Sequence, residues 1–270
     1  MTVNQHDRPA RALRSAIRIL RSAGIDPIAL AAFPANCLRY LQDLRSYRGL
    51  VQQSTARVDG PLSLYPVFRD ARKGAGSSYG HYFHQDLWAA ERLVKECPES
   101  HVDIGSRIDG FVAHLLAAGL TVTVVDIRPL PEPIKNLHFI QEDATVLPSF
   151  DDESIHSLSC LHAMEHFGLG RYGDRLDPAG PVKFCDLIQR KLAPGGRLLI
   201  SVPIGTPRTE FNAHRVLRPK ALIELLPGLT LTEFAAVDDA GRLIPEADPS
   251  AFATARFSLG LYAFERTSRR

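Results

Sequence analysis

Two hydrophobic patterns alternate along the chain from about residue 81 onward. Short β-branched runs such as "LTVTVVDI" (120–127) predict buried strands, whereas "HQDLWAAERLVKE" (84–96) has the apolar spacing of an amphipathic helix. We predict strands at 101–104, 120–127, 137–143, 154–161, 197–204, 229–237 and 253–265, with helices at 84–96, 110–119, 181–192 and 219–226. This alternation predicts a doubly wound α/β fold, in which helices cover both faces of a mostly parallel sheet. The last two strands have no helix between them, so we expect an antiparallel C-terminal hairpin at one edge.

The N-terminal part of the chain has a different pattern. Apolar residues at helical spacing predict one helix over 8–23 and a second over about 34–47. Residues 49–80 contain the scattered glycines, prolines and serines of a connector. We therefore predict an N-terminal helical extension with its connector over 1–78 and an α/β domain over 79–270.

Positive charge is concentrated in the first 50 residues. Eight arginines oppose three aspartates there and give a charge of +5, against +2 for the whole chain. Such a segment either presents a solvated arginine face while its apolar side packs, or docks on a membrane leaflet or a glycan-assembly complex. Oligomer formation is a further expectation for this segment, and no nucleic acid partner is expected.

The composition favours a soluble globular protein, since 45% of the 270 residues are hydrophobic and 23% are charged. No apolar run approaches the roughly 18 residues of a membrane span, and arginines interrupt every apolar stretch up to Leu50, so no signal peptide is predicted. Cys37, Cys97, Cys160 and Cys185 have no paired spacing. Cysteines without a paired spacing predict reduced thiols in a cytoplasmic protein. The arginine-rich N-terminal segment would place this protein at the inner face of the membrane.

Candidate ligand-binding residues follow the predicted strands, because ligands of such sheets bind outside the carboxyl ends of the strands. The first strand leads from Asp103 into a glycine-containing turn and a helix, where backbone N–H groups approach a polar ligand. Asp126 ends the second strand and suits the two hydroxyls of a ribose. Asp143 after the third strand suits an exocyclic amine, and Ala144 beside it leaves room for a flat ring.

The ordered set of an Asp-x-Gly turn, a strand-end acid, Asp-Ala, "AMEH" and "LAPGGRLLISVP" resembles class I S-adenosylmethionine-dependent methyltransferases over roughly residues 80–265. This resemblance implies a Rossmann-like fold with S-adenosyl-L-methionine as its cofactor. The longer strings "GHYFHQDLWAAERL", "HVDIGSRIDGFVAH" and "EHFGLGRYGDRLDPAG" resemble a methyltransferase-like group whose bacterial members are often associated with surface-polysaccharide synthesis. The resemblance to class I methyltransferases implies eleven cofactor-binding residues: Gln85, Asp103, Gly105, Ser106, Arg107, Gly110, Asp126, Ile127, Asp143, Ala144 and Leu161.

The first turn departs from the pattern of that superfamily. The superfamily turn is usually Asp-x-Gly-x-Gly-x-Gly, whereas this turn is one residue longer and lacks the middle glycine. A dinucleotide pyrophosphate needs glycine for close backbone approach. The methionine part of S-adenosylmethionine carries no phosphate, and its carboxylate tolerates a serine or an arginine. The departure therefore counts against NAD more than against S-adenosylmethionine.

The end of the fourth strand supplies the candidate catalytic residues His162, Glu165 and His166. A hydroxyl that accepts a methyl group must lose its proton, and histidine has a pKa near working pH. We predict His162 as the first candidate for the base and His166 as the second, with Glu165 orienting whichever acts. Packing without catalysis is the alternative for both histidines. The predicted substrate-binding residues are Arg171, Tyr172, Asp174, His214 and Arg215.

The leading functional hypothesis is O-methylation of a sugar hydroxyl in a surface glycan or its precursor. A methyltransferase for a small natural product is one alternative. A non-catalytic partner with a methyltransferase fold in a glycan-assembly complex is another, and an NAD-dependent enzyme is the least favoured. No residue spacing requires a metal ion, and none is predicted.

Overall fold

The computed structural model describes residues 16–53, 62–68, 70, 76–130 and 133–267. The chain divides into two compact units, Met1–Gly76 and Ser77–Arg270. The predicted domain boundary between residues 78 and 79 stays a prediction. No helix of the described part of the chain combines the length and the apolarity needed to cross a bilayer.

The first unit contains helical residues at 16–22 and a long helix, α1 (Pro27–Gln53). Residues 8–15 of the first predicted helix lie outside the described residues. The second predicted helix, over about 34–47, is shorter than α1 at both ends. Its predicted start at Pro34 is wrong, because Pro34 lies inside α1. The true start signal is Asp26, whose Oδ1 accepts hydrogen bonds from the N–H groups of Ile28 and Ala29 at 3.1 and 3.3 Å. The proline that follows Asp26 stands at the first helical position, where a missing N–H is harmless.

The second unit is built on a mixed eight-stranded sheet with the order β3-β2-β1-β4-β5-β10-β8-β9. Its strands, with a separate two-stranded hairpin of β6 and β7, are β1 (His101–Ile104), β2 (Val122–Asp126), β3 (Leu137–Gln141), β4 (Ile155–Leu161), β5 (Leu192–Ile204), β6 (Arg208–Glu210), β7 (His214–Val216), β8 (Leu229–Val237), β9 (Leu243–Ile244) and β10 (Ser258–Arg266). The helices are α2 (His81–Glu96), α3 (Ala113–Ala117), α4 (Gly180–Lys191) and α5 (Ala221–Leu225).

Strands β1 to β5 are parallel, and β10 is antiparallel to both β5 and β8. The predicted doubly wound sheet with an antiparallel C-terminal end is confirmed. The last strand, β10, is inserted between β5 and β8 instead of lying at the edge of the sheet. The short β9 forms that edge. Neither β9 nor the β6–β7 hairpin was predicted, because two or three residues carry no period to detect.

Two apolar clusters cover the two faces of the sheet. Leu198 and Ile200 of β5 belong to the cluster that includes Phe184 of α4, whereas Leu199 between them packs with Trp88 of α2 and Leu115 of α3. This alternation follows from the two-residue period of a strand. The central strands are therefore buried on both sides, which fixes the position of the residues at their carboxyl ends.

One predicted boundary at the amino end of β5 is wrong. "APGG" was expected to close α4 as a loop, but β5 already begins at Leu192, directly after the helix. Ile155 pairs with Leu192, and Ser157 pairs with Arg197, so β5 carries a bulge between these two positions. The bulge absorbs the Pro-Gly-Gly segment without ending the strand.

Candidate active site

The carboxyl ends of β1, β2, β3 and β4 meet at one edge of the sheet, where a cavity of about 430 Å³ opens. A volume of this size suits a ligand as large as a nucleoside derivative. The wall of the cavity includes both acidic strand ends and the predicted catalytic histidines. The predicted cofactor residues that line it are Gly105, Asp126, Ile127, Asp143 and Ala144.

The turn after β1 is held in place by hydrogen bonds to the side chain of Asp103. This side chain is fully buried, and it accepts hydrogen bonds from the N–H and Oγ of Ser106 at 3.1 and 2.8 Å and from Ser159 Oγ at 2.5 Å. Burial raises the pKa of Asp103 to about 6, although the hydrogen bonds of the two serines oppose that rise. Gly105 has a φ of +74°, and a Cβ on it would lie 2.9 Å from Ala163 Cβ. The turn therefore requires glycine at this position, as the cofactor prediction assumed.

The remaining predicted cofactor residues have other surroundings. Arg107 is exposed and pairs with Asp109, and with Ser106 it lines a second cavity of about 300 Å³. Gln85 Oε1 accepts a hydrogen bond from Ser201 Oγ at 2.7 Å. Leu161 is buried in the core, and Gly110 lies in a wide turn before α3. Their contacts with a cofactor stay predictions.

Asp126 is held by an arginine that the sequence analysis did not single out. Arg128 donates to it from its N–H at 2.8 Å, from Nε at 3.0 Å and from Nη2 at 2.5 Å. The guanidinium also lies 4.5 Å from the centre of the Tyr172 ring. A ribose that bonds to Asp126 must share the carboxylate with Arg128 or displace it. The side chain of Arg128 is 43% exposed, whereas that of Asp126 is only 11% exposed, so the arginine can move into solvent while the carboxylate stays at the cavity wall.

Asp143 keeps one carboxylate oxygen without a protein donor. Both of its hydrogen bonds, from the N–H and Oγ1 of Thr145 at 2.8 and 2.7 Å, end on Oδ1. Among the described residues, no hydrogen bond is recorded to Oδ2. The geometry is compatible with the predicted contact between Asp143 and an exocyclic amine.

The chain leaves β4 at His162 in a left-handed conformation with a φ of +53°. The N–H of His162 donates to Ser201 Oγ at 2.9 Å, which ties this position to β5. The Tyr82 ring stacks on the imidazole, with 4.9 Å between ring centres. Such strained backbone positions persist only where the surroundings fix them, and they cluster at functional sites.

A hydrogen-bond chain fixes the protons of two histidines. The carbonyl of Phe257 accepts, so His81 Nε2 donates to it at 3.1 Å. Burial, followed by the nearby His162, lowers the pKa of His81 to about 4, so this ring is neutral and its Nδ1 accepts. His162 Nε2 therefore donates to His81 Nδ1 at 3.1 Å, which leaves His162 Nδ1 in close contact with Glu165 Oε1. A ring nitrogen and a carboxylate oxygen that both lack a proton repel each other, so this contact requires a proton between the two atoms.

Glu165 is fully buried, and none of the described residues donates a hydrogen bond to its Oε2. Burial alone would raise its pKa, but the charge and hydrogen bond of His162, and then His166, outweigh burial and lower the pKa overall. The carboxylate is therefore anionic. His166 Nε2 lies 3.6 Å from Glu165 Oε1, while His166 Nδ1 donates to the carbonyl of Ala213 at 2.6 Å.

The predicted order of the two candidate bases, His162 before His166, stays a prediction, but the contacts of the two rings differ. Both ring nitrogens of His162 are engaged, by His81 and by Glu165. Burial lowers the pKa of His166, which is neutral with its proton on Nδ1, so Nε2 keeps a lone pair. Both rings line the cavity, so the free nitrogen is what distinguishes His166. The geometry therefore favours His166 over His162 as the group that accepts a proton.

The predicted substrate-binding residues mainly brace the site. The Asp174 carboxylate accepts hydrogen bonds from three backbone N–H groups of its own loop at 2.8–3.2 Å. Arg215 donates to the carbonyl of Phe167 at 2.7 Å, and Arg171 donates to the carbonyl of Ala213 at 2.9 Å. Tyr172 lines the cavity. Direct contact of any of these residues with a substrate stays a prediction.

His214, also predicted to bind substrate, is partly buried on β7. Its Nε2 is buried and makes no hydrogen bond to any residue that the structure describes, and the Glu210 carboxylate lies 3.8 Å away. Its ring packs against Phe257, with 4.8 Å between centres. His214 therefore lies near the histidine cluster with an unused ring nitrogen.

Sequence reasoning missed His81 and Arg128. His81 meets His162 across 81 positions of sequence, and no periodic pattern encodes such a contact. Arg128 had a weak signal, since a basic residue two positions after a strand-end acid can fold back on that acid.

Comparisons with known proteins show the fold. Residues 133–239 match DUF268, described as a Caenorhabditis protein of unknown function. No curated protein matches the chain. A putative sarcosine dimethylglycine methyltransferase from Galdieria sulphuraria is similar in structure, with 13% identity over 69% of this chain and 87% of that one, and a TM-score of 0.50. The [4+2]-cyclase SpnF has 14% identity over 71% and 88%, with a TM-score of 0.50.

The N-methyltransferase NodS from Bradyrhizobium japonicum, in complex with S-adenosyl-L-homocysteine, has 15% identity over 69% of this chain and 88% of that one, with a TM-score of 0.46. Proteins described as putative methyltransferases recur among the similar structures. At such low identity the likeness shows the fold alone. A cyclase and a methyltransferase share that fold, so the reaction must be argued from the site. Nothing in these similarities concerns surface polysaccharides.

Proposed function

We propose that the protein is an S-adenosyl-L-methionine-dependent O-methyltransferase that acts on a sugar hydroxyl of a surface glycan or its precursor. The observation that carries this proposal is the shared cavity. Its wall brings Asp126 and Asp143 at two strand ends together with His162 and His166 after a third strand. A nucleoside-binding half and an acid–base half thus open onto the same space.

The residues present fit the cofactor. Gly105 leaves the backbone of the first turn open, because a side chain there would meet Ala163. Asp126 stands where ribose hydroxyls are bound in related sheets. Asp143 keeps Oδ2 for an amine, and Ala144 beside it lines the cavity without filling it.

S-adenosyl-L-methionine supplies a methyl group whose bond electrons return to sulfur when an acceptor oxygen takes the carbon. The protein's own residues align the acceptor, exclude water and receive the hydroxyl proton. His166 Nε2 has the lone pair for that proton, and the carbonyl of Ala213 stabilises the ring by accepting from Nδ1. Glu165 lies close enough to both His162 and His166 to stabilise their charged forms.

A sugar acceptor is supported by the polar side of the cavity. Tyr172, Arg175, Asp177 and Lys183 line it, and Lys183 pairs with Asp177 at 2.6 Å. The charged side chains among these residues can form hydrogen bonds with the hydroxyls of a sugar, and the ring of Tyr172 can pack on the face of a sugar ring. One observation favours a non-catalytic function instead: Arg128 already occupies the carboxylate of Asp126.

Titration calorimetry tests the cofactor. We expect S-adenosylmethionine to bind and NAD not to bind. Asp126→Ala should weaken binding at least tenfold, about 1.4 kcal/mol, through loss of the ribose contacts. Asp186→Ala, an exposed aspartate on α4, is the matched control and should bind as the wild type does. Binding of NAD instead, or unchanged affinity in Asp126→Ala, would contradict the assignment.

The acceptor requires a second experiment. Mass spectrometry of the glycan made with and without the protein should show one additional methyl ether on a sugar. Methyl transfer to a nitrogen, or to a non-sugar acceptor only, would overturn the glycan part of the proposal and retain the methyltransferase part. Bound S-adenosylmethionine with no transfer to any acceptor would favour the non-catalytic alternative.

A further inference from the structure

We propose that His162, Glu165 and His166 form a binding site for a divalent first-row metal ion, with His214 as a fourth ligand. Nothing in the similarity to known proteins assigns a metal to this chain. The role that we give to the ion rests on the proposed function, but its binding does not.

The first support is convergence of ligand atoms. One ligand atom from each of His162, Glu165 and His166 lies within 4.8 Å of the other two. Both imidazoles face the same carboxylate oxygen, His162 in close contact and His166 at 3.6 Å. Ligands of a tetrahedral zinc ion stand roughly 3.3 Å apart, as metal–ligand bonds of about 2.0–2.1 Å imply. Small side-chain rotations are therefore enough to close the site.

The second support comes from the atoms behind the ligands. A histidine that binds a metal nearly always donates its other N–H to a fixed acceptor, which sets the tautomer and the ring orientation. His166 Nδ1 donates to the carbonyl of Ala213. His162 Nε2 donates to His81, which in turn donates to the carbonyl of Phe257. Both rings are thus held with their second nitrogen towards Glu165.

The third support is an unmet need for positive charge. Glu165 is fully buried, and its Oε2 accepts no hydrogen bond from the part of the chain that the structure describes. A buried carboxylate oxygen without a partner is costly, and a cation bound to it removes that cost. The two imidazoles face the other oxygen, Oε1. A metal ion therefore meets this need when both carboxylate oxygens of Glu165 bind it.

His214 has the features of a fourth ligand. Its Nε2 is buried and has no hydrogen-bond partner among the described residues. Its two chain neighbours are tied to the cluster, because Ala213 accepts from His166 and Arg215 donates to the backbone carbonyl of Glu165 at 3.3 Å. The backbone on either side of His214 therefore lies against the segment that carries the three ligands, and His214 becomes the fourth ligand if its side chain rotates towards the ion.

The donor set indicates the class of metal. Imidazole suits zinc, cobalt, nickel and iron, whereas magnesium and calcium prefer oxygen ligands alone. His162 and His166 line the cavity, so an acceptor oxygen reaches the ion from that side. With its Nε2 bound to the ion, His166 would not act as the base. The ion would instead lower the pKa of the acceptor hydroxyl, and the proton would leave to water in the cavity. The oxygen lone pair forms the bond to the methyl carbon, and the electrons of the broken carbon–sulfur bond stay on sulfur.

Cobalt(II) is the probe, because its visible absorption reports imidazole coordination without any assay of activity. Protein without a polyhistidine tag is treated with a chelator and titrated with CoCl₂, and ZnCl₂ then competes. We expect one equivalent to bind with a visible band, and ZnCl₂ to displace it. Glu165→Gln and His166→Ala should each weaken cobalt binding at least tenfold, and His214→Ala should weaken it and shift the band.

His156→Ala is the matched control, since His156 lies on β4 and is exposed. It should bind cobalt as the wild type does. Circular dichroism and S-adenosylmethionine calorimetry on every variant separate lost folding from lost ligands, and the wild-type titration decides the matter if a variant does not fold. No visible band in the wild type, or equal affinity in wild type and Glu165→Gln, would overturn the metal site. Metal binding without S-adenosylmethionine binding would overturn the proposed function and leave the metal site standing.

Discussion

His101 should make the stability of the protein fall at acid pH. The ring is fully buried between two serines of β4. Ser159 Oγ donates to Asp103 at 2.5 Å, so it accepts from His101 Nε2 at 2.8 Å. His101 Nδ1 then accepts from Ser157 Oγ at 2.8 Å. Each polar atom of this network is satisfied only while the ring is neutral.

Burial lowers the pKa of His101 to about 3 from 6.5. Below pH 6.5, His101 therefore binds a proton in the unfolded chain but stays unprotonated in the folded chain. The stability that neutral His101 contributes is complete above pH 6.5, and it is lost as the pH falls towards 3. One pKa unit is worth about 1.4 kcal/mol, so the loss reaches about 3 kcal/mol by about pH 4.5.

The assay is urea unfolding followed by the fluorescence of the single tryptophan, Trp88, at several pH values. The variant is His101→Gln, which keeps a donor and an acceptor but carries no charge in this range. Asp103 acts in the opposite direction, because burial raises its pKa to about 6, but it is present in both proteins. We expect the stability difference between wild type and variant to shrink by about 3 kcal/mol between about pH 7 and 4.5.

His138→Gln is the control, since this histidine on β3 is exposed. Its stability difference from the wild type should not change by a comparable amount over the same range. A His101→Gln difference that stays constant with pH would refute the reasoning, because the ring would then be free to take up a proton in the folded state.

Three further outcomes follow from single contacts. Gly105→Ala should destabilise the fold more than Gly119→Ala, as measured by thermal unfolding, because both glycines have positive φ but only the first new Cβ meets a neighbour, at 2.9 Å. Tyr262→Phe should cost about 1–3 kcal/mol in urea unfolding, since the buried carbonyl of Pro219 loses the hydroxyl that donates to it at 2.6 Å. Asp174→Ala should cost about 2 kcal/mol and speed hydrogen exchange in its loop, because three N–H groups lose a charged acceptor; unchanged exchange would show that the loop is held by other contacts.

Periodic and strand-end features were predictable from the sequence. The apolar runs of β2 and β5 placed the sheet, and the sheet placed Asp126 and Asp143 at its carboxyl edge. Boundaries near proline and glycine were less predictable. Pro34 was taken as a helix start, although Asp26 caps the helix, and the segment after Leu192 became a bulge.

The roles within the histidine cluster could not be predicted from the order of residues. His162 stands nearest the strand end and was ranked first, yet its two nitrogens are engaged by partners 81 and 3 positions away. His166 was ranked second, and it keeps a lone pair because Ala213, 47 positions later, accepts its proton. A ring nitrogen is free or engaged according to neighbours that only the folded chain brings together.

The sequence by itself determined the doubly wound sheet and the edge where the candidate site lies, because strand and helix periods are local and repeat over many residues. Tertiary structure alone decided which charges meet at that edge. Arg128 folds back on Asp126, His81 reaches His162 from another element, and Glu165 is sealed in the core with one oxygen to which no described residue donates. The physical reason is that hydrogen bonds and desolvation act over a few ångströms in space, and the distances that govern them are set by packing rather than by separation along the chain.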